Sequence, residues 1–155
     1  MPFTKSWGLV ALFILTVTFT LSCSSSPGTQ GNQGPPQAGS GSPVPTNGLV
    51  QSNSAGAVTL DVKWMGPSGG SLVFNVEMDT HSVELDQYDL GKLAILRDDG
   101  GKEYRPISWD SAPGGHHRGG TLAFPLPESL NQAKYLELLI RDVAGVKERV
   151  FKWEL

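Results

Sequence analysis

Three histidines are the residues in this sequence best suited to chemistry. His116 and His117 stand side by side in Pro113-Gly114-Gly115-His116-His117-Arg118-Gly119-Gly120, where four glycines and a proline leave no apolar alternation to pack them. His81 follows Glu77 and Asp79 at two-residue steps, so on a continuing strand all three side chains share one face. Neutral imidazole is a ligand for zinc, copper and nickel, and a carboxylate can complete such a set. Steps of ~6.6 Å along a strand are too wide for Asp79 and His81 to chelate one ion unaided. One or both would have to meet His116 or His117 across an end of the fold, in a site for a zinc or copper ion. The same residues have plainer uses. His116 and His117 serve equally as polar groups of a solvated loop. His81 and Ser82 can cap the turn that follows them, and Arg118 can hold its loop by pairing with a carboxylate such as Asp110.

Other chemistries fit less well. A blue-copper centre requires a cysteine thiolate, and the single cysteine, Cys23, lies far from the histidines near the amino terminus. Met65 and Met78 could serve a copper carrier, but Met78 falls on a core-facing position. The chain has no Gly-x-Ser-x-Gly elbow, no His-Glu-x-x-His, no phosphate loop and no Cys–His pair, so it is read as non-enzymatic. Asp98 and Asp99 are expected in a solvated hairpin turn, where nothing would separate their pKa values. Glu84, Asp86 and Asp89 lack the spacing of a calcium loop.

Cys23 has its own reading. Lys5 precedes Trp7–Leu21, an uncharged and mostly apolar run of 15 residues. As a helix that run rises only ~22 Å, short of the ~30 Å hydrocarbon core, so residues 1–22 read as a removed signal peptide and not as a membrane span. Thr20-Leu21-Ser22-Cys23 resembles a bacterial lipobox, with small Ser22 before the cysteine and Leu21 two places before it. The resemblance implies cleavage before Cys23 and acylation of its thiol and new amino group. The alternative is an ordinary cleavage site with a cysteine nearby. Several acyl chains on one residue give stable anchoring, and the membrane is then a partner. The expected address is extracytoplasmic, on the outer membrane where a cell has two.

Charge placement divides the rest. Of 12 basic and 15 acidic residues, Lys5 alone precedes Asp61. The balance of −3 lacks the basic excess that nucleic-acid binding needs. From Ser24 to Ala57, 28 of 34 residues are Gly, Pro, Ser, Thr, Asn or Gln. Residues 23–56 are therefore expected to form a lipidated, disordered tether, roughly 30 Å in root-mean-square span.

From residue 57 onward the apolar pattern has period two. Val58–Trp64, Leu72–Met78, Lys92–Arg97, Glu103–Trp109, Leu122–Leu126, Tyr135–Val143 and Val150–Leu155 read as seven strands. They are separated by turn residues, with a loop expected at Gly66–Gly70 and one helical turn at Ser82–Leu90. Asp98-Asp99-Gly100-Gly101 marks a hairpin, and Pro106 places its strand at a sheet edge. Seven short strands without a long helix predict an all-β, antiparallel sandwich over 57–155.

The segments LVFNVEMDTHS, LRDDGGKEYRP, GGTLAFPLPE and YLELLIRD, behind a lipid cysteine and a Gly/Ser/Gln tether, resemble the immunoglobulin-like (telokin-like) domains of prokaryotic surface lipoproteins. The resemblance implies an immunoglobulin-like sandwich on the cell envelope and no particular chemistry. The expected function is a lipid-anchored binding module, its ligand a metal ion at Asp79, His81, His116 and His117. The alternative is an interaction domain that recognises an envelope protein.

Overall fold

The computed structural model describes residues 41–155. The expected signal peptide, Cys23 and the linker as far as residue 40 lie outside the described residues. Two antiparallel sheets pack face to face. One holds β1 (Val50–Asn53), β2 (Thr59–Ser68), β3 (Ser71–Asp79), β7 (His117–Pro125) and β6 (Ser108–Asp110), in that order. The other holds β5 (Glu103–Tyr104), β4 (Ala94–Asp98), β8 (Tyr135–Val143) and β9 (Val146–Glu154). Taking β2 as strand A, the first sheet runs A-B-E-D and the second C′-C-F-G, the immunoglobulin strand order, with β1 added outside A.

The period-two stripes account for the core. Leu60, Val62 and Trp64 of β2, Leu72, Phe74, Val76 and Met78 of β3, and Phe151 and Trp153 of β9 turn inward and are buried. Aromatic rings tie the two sheets together: Phe74 meets Trp64 edge-on at 5.4 Å, Phe124 at 5.9 Å, and Trp153 from the opposite sheet at 5.1 Å. Such contacts add to the burial of large apolar area.

The structure revises several expected boundaries. The sandwich begins before residue 57, because β1 pairs with β2 from Val50↔Lys63 to Asn53↔Leu60. Composition alone made this stretch look unable to fold, since it has little apolar surface. It is held by polar groups instead. The Gln51 side-chain amide donates to the Lys152 carbonyl and accepts from the Lys152 N–H. Asn47 likewise donates to Lys152 O and accepts from Glu154 N–H. Two amides thus stand in for the missing neighbour strand of β9.

The expected loop at Gly66–Gly70 also changes. β2 continues to Ser68 through a bulge at Met65, with Gly66 at φ +85°. The strand expected over Glu103–Trp109 divides at Arg105–Ile107: β5 pairs with β4 and β6 with β7, so the chain changes sheets there. Pro106, which has no N–H to donate, sits at that switch. Among the described residues the one helical turn is α1 (Leu90–Leu93), not Ser82–Leu90, and its cap is Asp89, whose Oδ1 accepts from Gly91 N–H at 3.0 Å. The third strand accordingly starts at Ala94, two residues later than expected.

Candidate functional site

At the end of β3 and the start of β7, Asp79 and His117 stand opposite one another in register. His117 Nδ1 lies 2.5 Å from Asp79 Oδ1. A carboxylate can only accept, so Nδ1 carries the proton, and the tautomer this selects has its lone pair on Nε2. Both side chains border a pocket of about 350 Å³ whose wall also includes His81, Thr80, Thr59 and the Gly56–Ala57 backbone.

His117 is therefore a strand residue, where a loop was expected. β7 begins at His117 because β3 pairs with it without interruption, from Ser71↔Pro125 to Asp79↔His117. The glycines make this pairing possible. The Glu77 carboxylate lies over Gly119, and Gly120 leaves room for the Asp110 carbonyl and the Ser111 and Trp109 side chains.

Hydrogen bonds hold the pocket walls. Thr80, almost fully buried, donates from Oγ1 to Ala57 O at 2.6 Å and accepts from Ser82 N–H at 3.2 Å. Thr80 N–H donates to His116 O at 3.0 Å. Two buried arginines fix the flanking loops. Arg149 is 1% exposed and donates to the carbonyls of Val143, Ala55 and Val58. Among the described residues its guanidinium has no carboxylate partner, and burial pushes its pKa below the usual arginine value. Arg118 donates to the Leu85 and Tyr88 carbonyls and to Ser111 Oγ. It lies 3.9 Å from Asp86, whose Oδ1 also caps the N–H groups of Gly114 and Gly115. The expected pairing of Arg118 with a carboxylate is thus made, with Asp86 as the partner and not Asp110.

Of the four candidate metal residues, the structure brings Asp79, His81 and His117 to one pocket and leaves His116 out. The His116 side chain is exposed, and only its carbonyl contributes, to Thr80. The adjacent pair therefore divides: His116 lies in the turn that the His117 N–H closes onto the Gly114 carbonyl at 3.1 Å, and His117 opens β7. Among the described residues, no group of three or more His, Cys, Asp or Glu side chains is arranged to hold a metal ion. With Nδ1 bonded to Asp79, the ring nitrogen left to His117 is Nε2, and the carboxylate stands behind the imidazole. That is the outer-shell relation found behind metal-ligating histidines. In this position the Asp79 carboxylate orients the His117 ring.

The sequence reading passed over Thr59, Thr80 and Arg149. Thr80 and Thr59 carry no distinguishing pattern. Arg149 does: it falls on the same alternation as core residues Phe151 and Trp153, and a charge on a core-facing stripe signals a buried clamp. The other misread group is Asp98, expected in solvent. It is 5% exposed and accepts from Gly100 N–H, Lys102 N–H, Tyr104 Oη and Ser129 Oγ. It locks the β4–β5 hairpin to the Pro127–Ala133 segment. Family models, curated proteins and solved structures were all compared with the chain, and none matches it.

Proposed function

We propose that this protein is a lipid-anchored, extracytoplasmic binding module, non-enzymatic, that takes a zinc or copper ion at the Asp79–His81–His117 pocket. His117 Nε2 and the His81 imidazole are the protein ligands, Asp79 orients His117, and the remaining positions are open to water or to a donor on a second molecule. The single observation that carries this reading is the Asp79–His117 contact of 2.5 Å beside His81 at the pocket. A carboxylate behind an imidazole fixes its tautomer and raises its basicity. Two protein ligands leave a four-coordinate ion half open, which suits capture and hand-over better than a closed structural site. The Cys23 lipid supplies the address.

Calorimetric titration of zinc and copper(II) tests this. His117→Ala abolishes binding, and His81→Ala weakens it at least about tenfold. Asp79→Asn weakens it by roughly 10–100-fold, as expected for an outer-shell partner. His116→Ala leaves it unchanged. Binding that survives His117→Ala, or that falls as far with His116→Ala, refutes the assignment. Absence of binding in the native protein, with a stoichiometric envelope protein recovered from membranes, points instead to an interaction domain without metal.

A further inference from the structure

The opposite end of β2 carries a surface of different character. A groove of about 330 Å³ is bordered by Ser42, Pro43, Val44, Leu49, Met65 and Pro67, with Trp64 and Gly66 at its base. None of these residues is charged. Val44, Leu49 and Met65 are 68%, 41% and 54% exposed. Met65 is the extra residue of the β2 bulge, since Trp64 pairs with Phe74 and Gly66 with Val73. Bulges re-aim side chains, and this one turns a flexible thioether outward while Trp64 stays in the core. From Thr59, beside the histidines, to Gly66 is seven strand steps, or ~23 Å. The polar pocket and the apolar groove therefore form two poles of one strand.

We infer that the apolar pole is the face this domain lays against the lipid surface that holds it, leaving the histidine pocket directed away from that surface. The inference rests on the Cys23 anchor proposed above. The chain reaches the domain at the groove itself: Ser42, Pro43 and Val44 line it. Eighteen residues lie between Cys23 and Ser42 in sequence, so the two cannot be more than ~65 Å apart even when fully extended. The bilayer is thus held near the groove at high effective concentration. A few exposed apolar side chains are too small a patch for a stable protein interface, which covers roughly 800 Å² per partner. They suffice to orient a domain already tethered, because apolar groups at an interface settle ~5–10 Å into the headgroup and acyl boundary.

The test uses the full-length acylated protein in vesicles of phosphatidylethanolamine and phosphatidylglycerol carrying a doxyl-labelled acyl chain. A thiol fluorophore is placed through Met65→Cys, through Val44→Cys as an independent probe, and through Lys147→Cys. Lys147 is exposed on the β8–β9 hairpin, whose Val146 and Ala144 lie beside Gly56 of the histidine pocket. Acylation blocks Cys23, so each chain takes one label. We expect acyl-chain quenching of about half the signal at both groove positions, at the depth such faces reach, and none at Lys147→Cys. Vesicle-bound protein with no quenching at either groove position overturns the inference, as does cross-linking between copies through Met65→Cys. Two labels per chain with no vesicle association would show the anchor itself to be absent, which refutes that reading and this one with it.

Discussion

Replacing Asp98 by alanine removes the acceptor of four hydrogen bonds at once. Gly100 N–H and Lys102 N–H donate to Oδ1 at 3.1 and 2.9 Å, and the hydroxyls of Tyr104 and Ser129 to Oδ2 at 3.0 and 3.1 Å. Hydrogen bonds to an ionised group contribute ~1.5–3 kcal/mol each, but bonds to one acceptor are not additive. Lys102 and Gly100 are exposed, so their freed N–H groups recover water. The structure therefore predicts a loss of about 3 kcal/mol for Asp98→Ala, near the upper range of ordinary single substitutions. For a domain of this size, that lowers Tm by roughly 12 °C. Asp98→Asn keeps one oxygen for the two backbone donors, and both hydroxyls can turn to accept from its amide, so its cost is about 1 kcal/mol.

The acid response of Asp98 separates charge from shape. Burial alone would raise its pKa, but the hydrogen bonds from Lys102 N–H, Tyr104, Ser129 and Gly100 N–H outweigh that and hold it below the usual carboxylate value. A depressed folded pKa means that the unfolded chain binds the proton first. The stabilisation is thus fully present above about pH 4, the ordinary aspartate value, and is lost as pH falls through the lower folded value. Urea unfolding followed by tryptophan fluorescence, at pH 7 and in steps below pH 5, measures both effects. The native protein loses this increment in acid and Asp98→Asn does not. If Asp98→Ala costs less than about 0.5 kcal/mol, a typical surface value, or if Asp98→Asn keeps the full acid sensitivity, the reasoning fails.

Two further outcomes follow from packing and edges. A Cβ on Gly120 would lie 2.6 Å from the Asp110 carbonyl oxygen, 2.6 Å from Ser111 Cβ and 2.8 Å from the Trp109 ring. Gly120→Ala should therefore push β6 from β7 and cost about 2–3 kcal/mol, whereas Gly119→Ala meets only the movable end of Glu77 and should cost far less; equal losses in thermal unfolding would contradict this. Asn47→Leu with Gln51→Leu uncovers the β9 backbone at Lys152 and Glu154, and an uncovered edge pairs with other chains. Sedimentation velocity should show concentration-dependent association of the double variant, and a monomer at every concentration would refute the capping role.

Much of the architecture is legible along the chain because a buried face imposes period two on a strand. Leu72, Phe74, Val76 and Met78 identify β3 without any partner, and Tyr135–Val143 appears with the bounds the sequence suggests. Features made by polar groups are harder to see. β1 has a composition that reads as linker, and nothing local to Gln51 reveals that its amide meets Lys152, 101 residues away. Asp98 looks like half of a solvated acidic turn until Ser129 arrives from another loop. The Glu103–Trp109 run holds no signal that its two halves join different sheets, beyond the proline at the switch.

The histidines divide along the same line. Composition and spacing single out Asp79, His81, His116 and His117, since a rigid sandwich displays loop and strand-end residues to solvent. Register alone decides which of them meet. β3 and β7 are brought together by pairing across 38 residues of chain, which sets Asp79 against His117 and leaves His116 in the turn before β7. The sequence by itself determined the all-β class, the stripe that forms the core, and a first third that carries Lys5 as its one charge. The tertiary structure alone decided that one histidine of the adjacent pair has a carboxylate behind it. It also decided that β2 ends in a polar pocket at one pole and an apolar groove at the other. The physical reason is that side-chain alternation is a local property, whereas a binding constellation depends on which strand lies opposite and in what register.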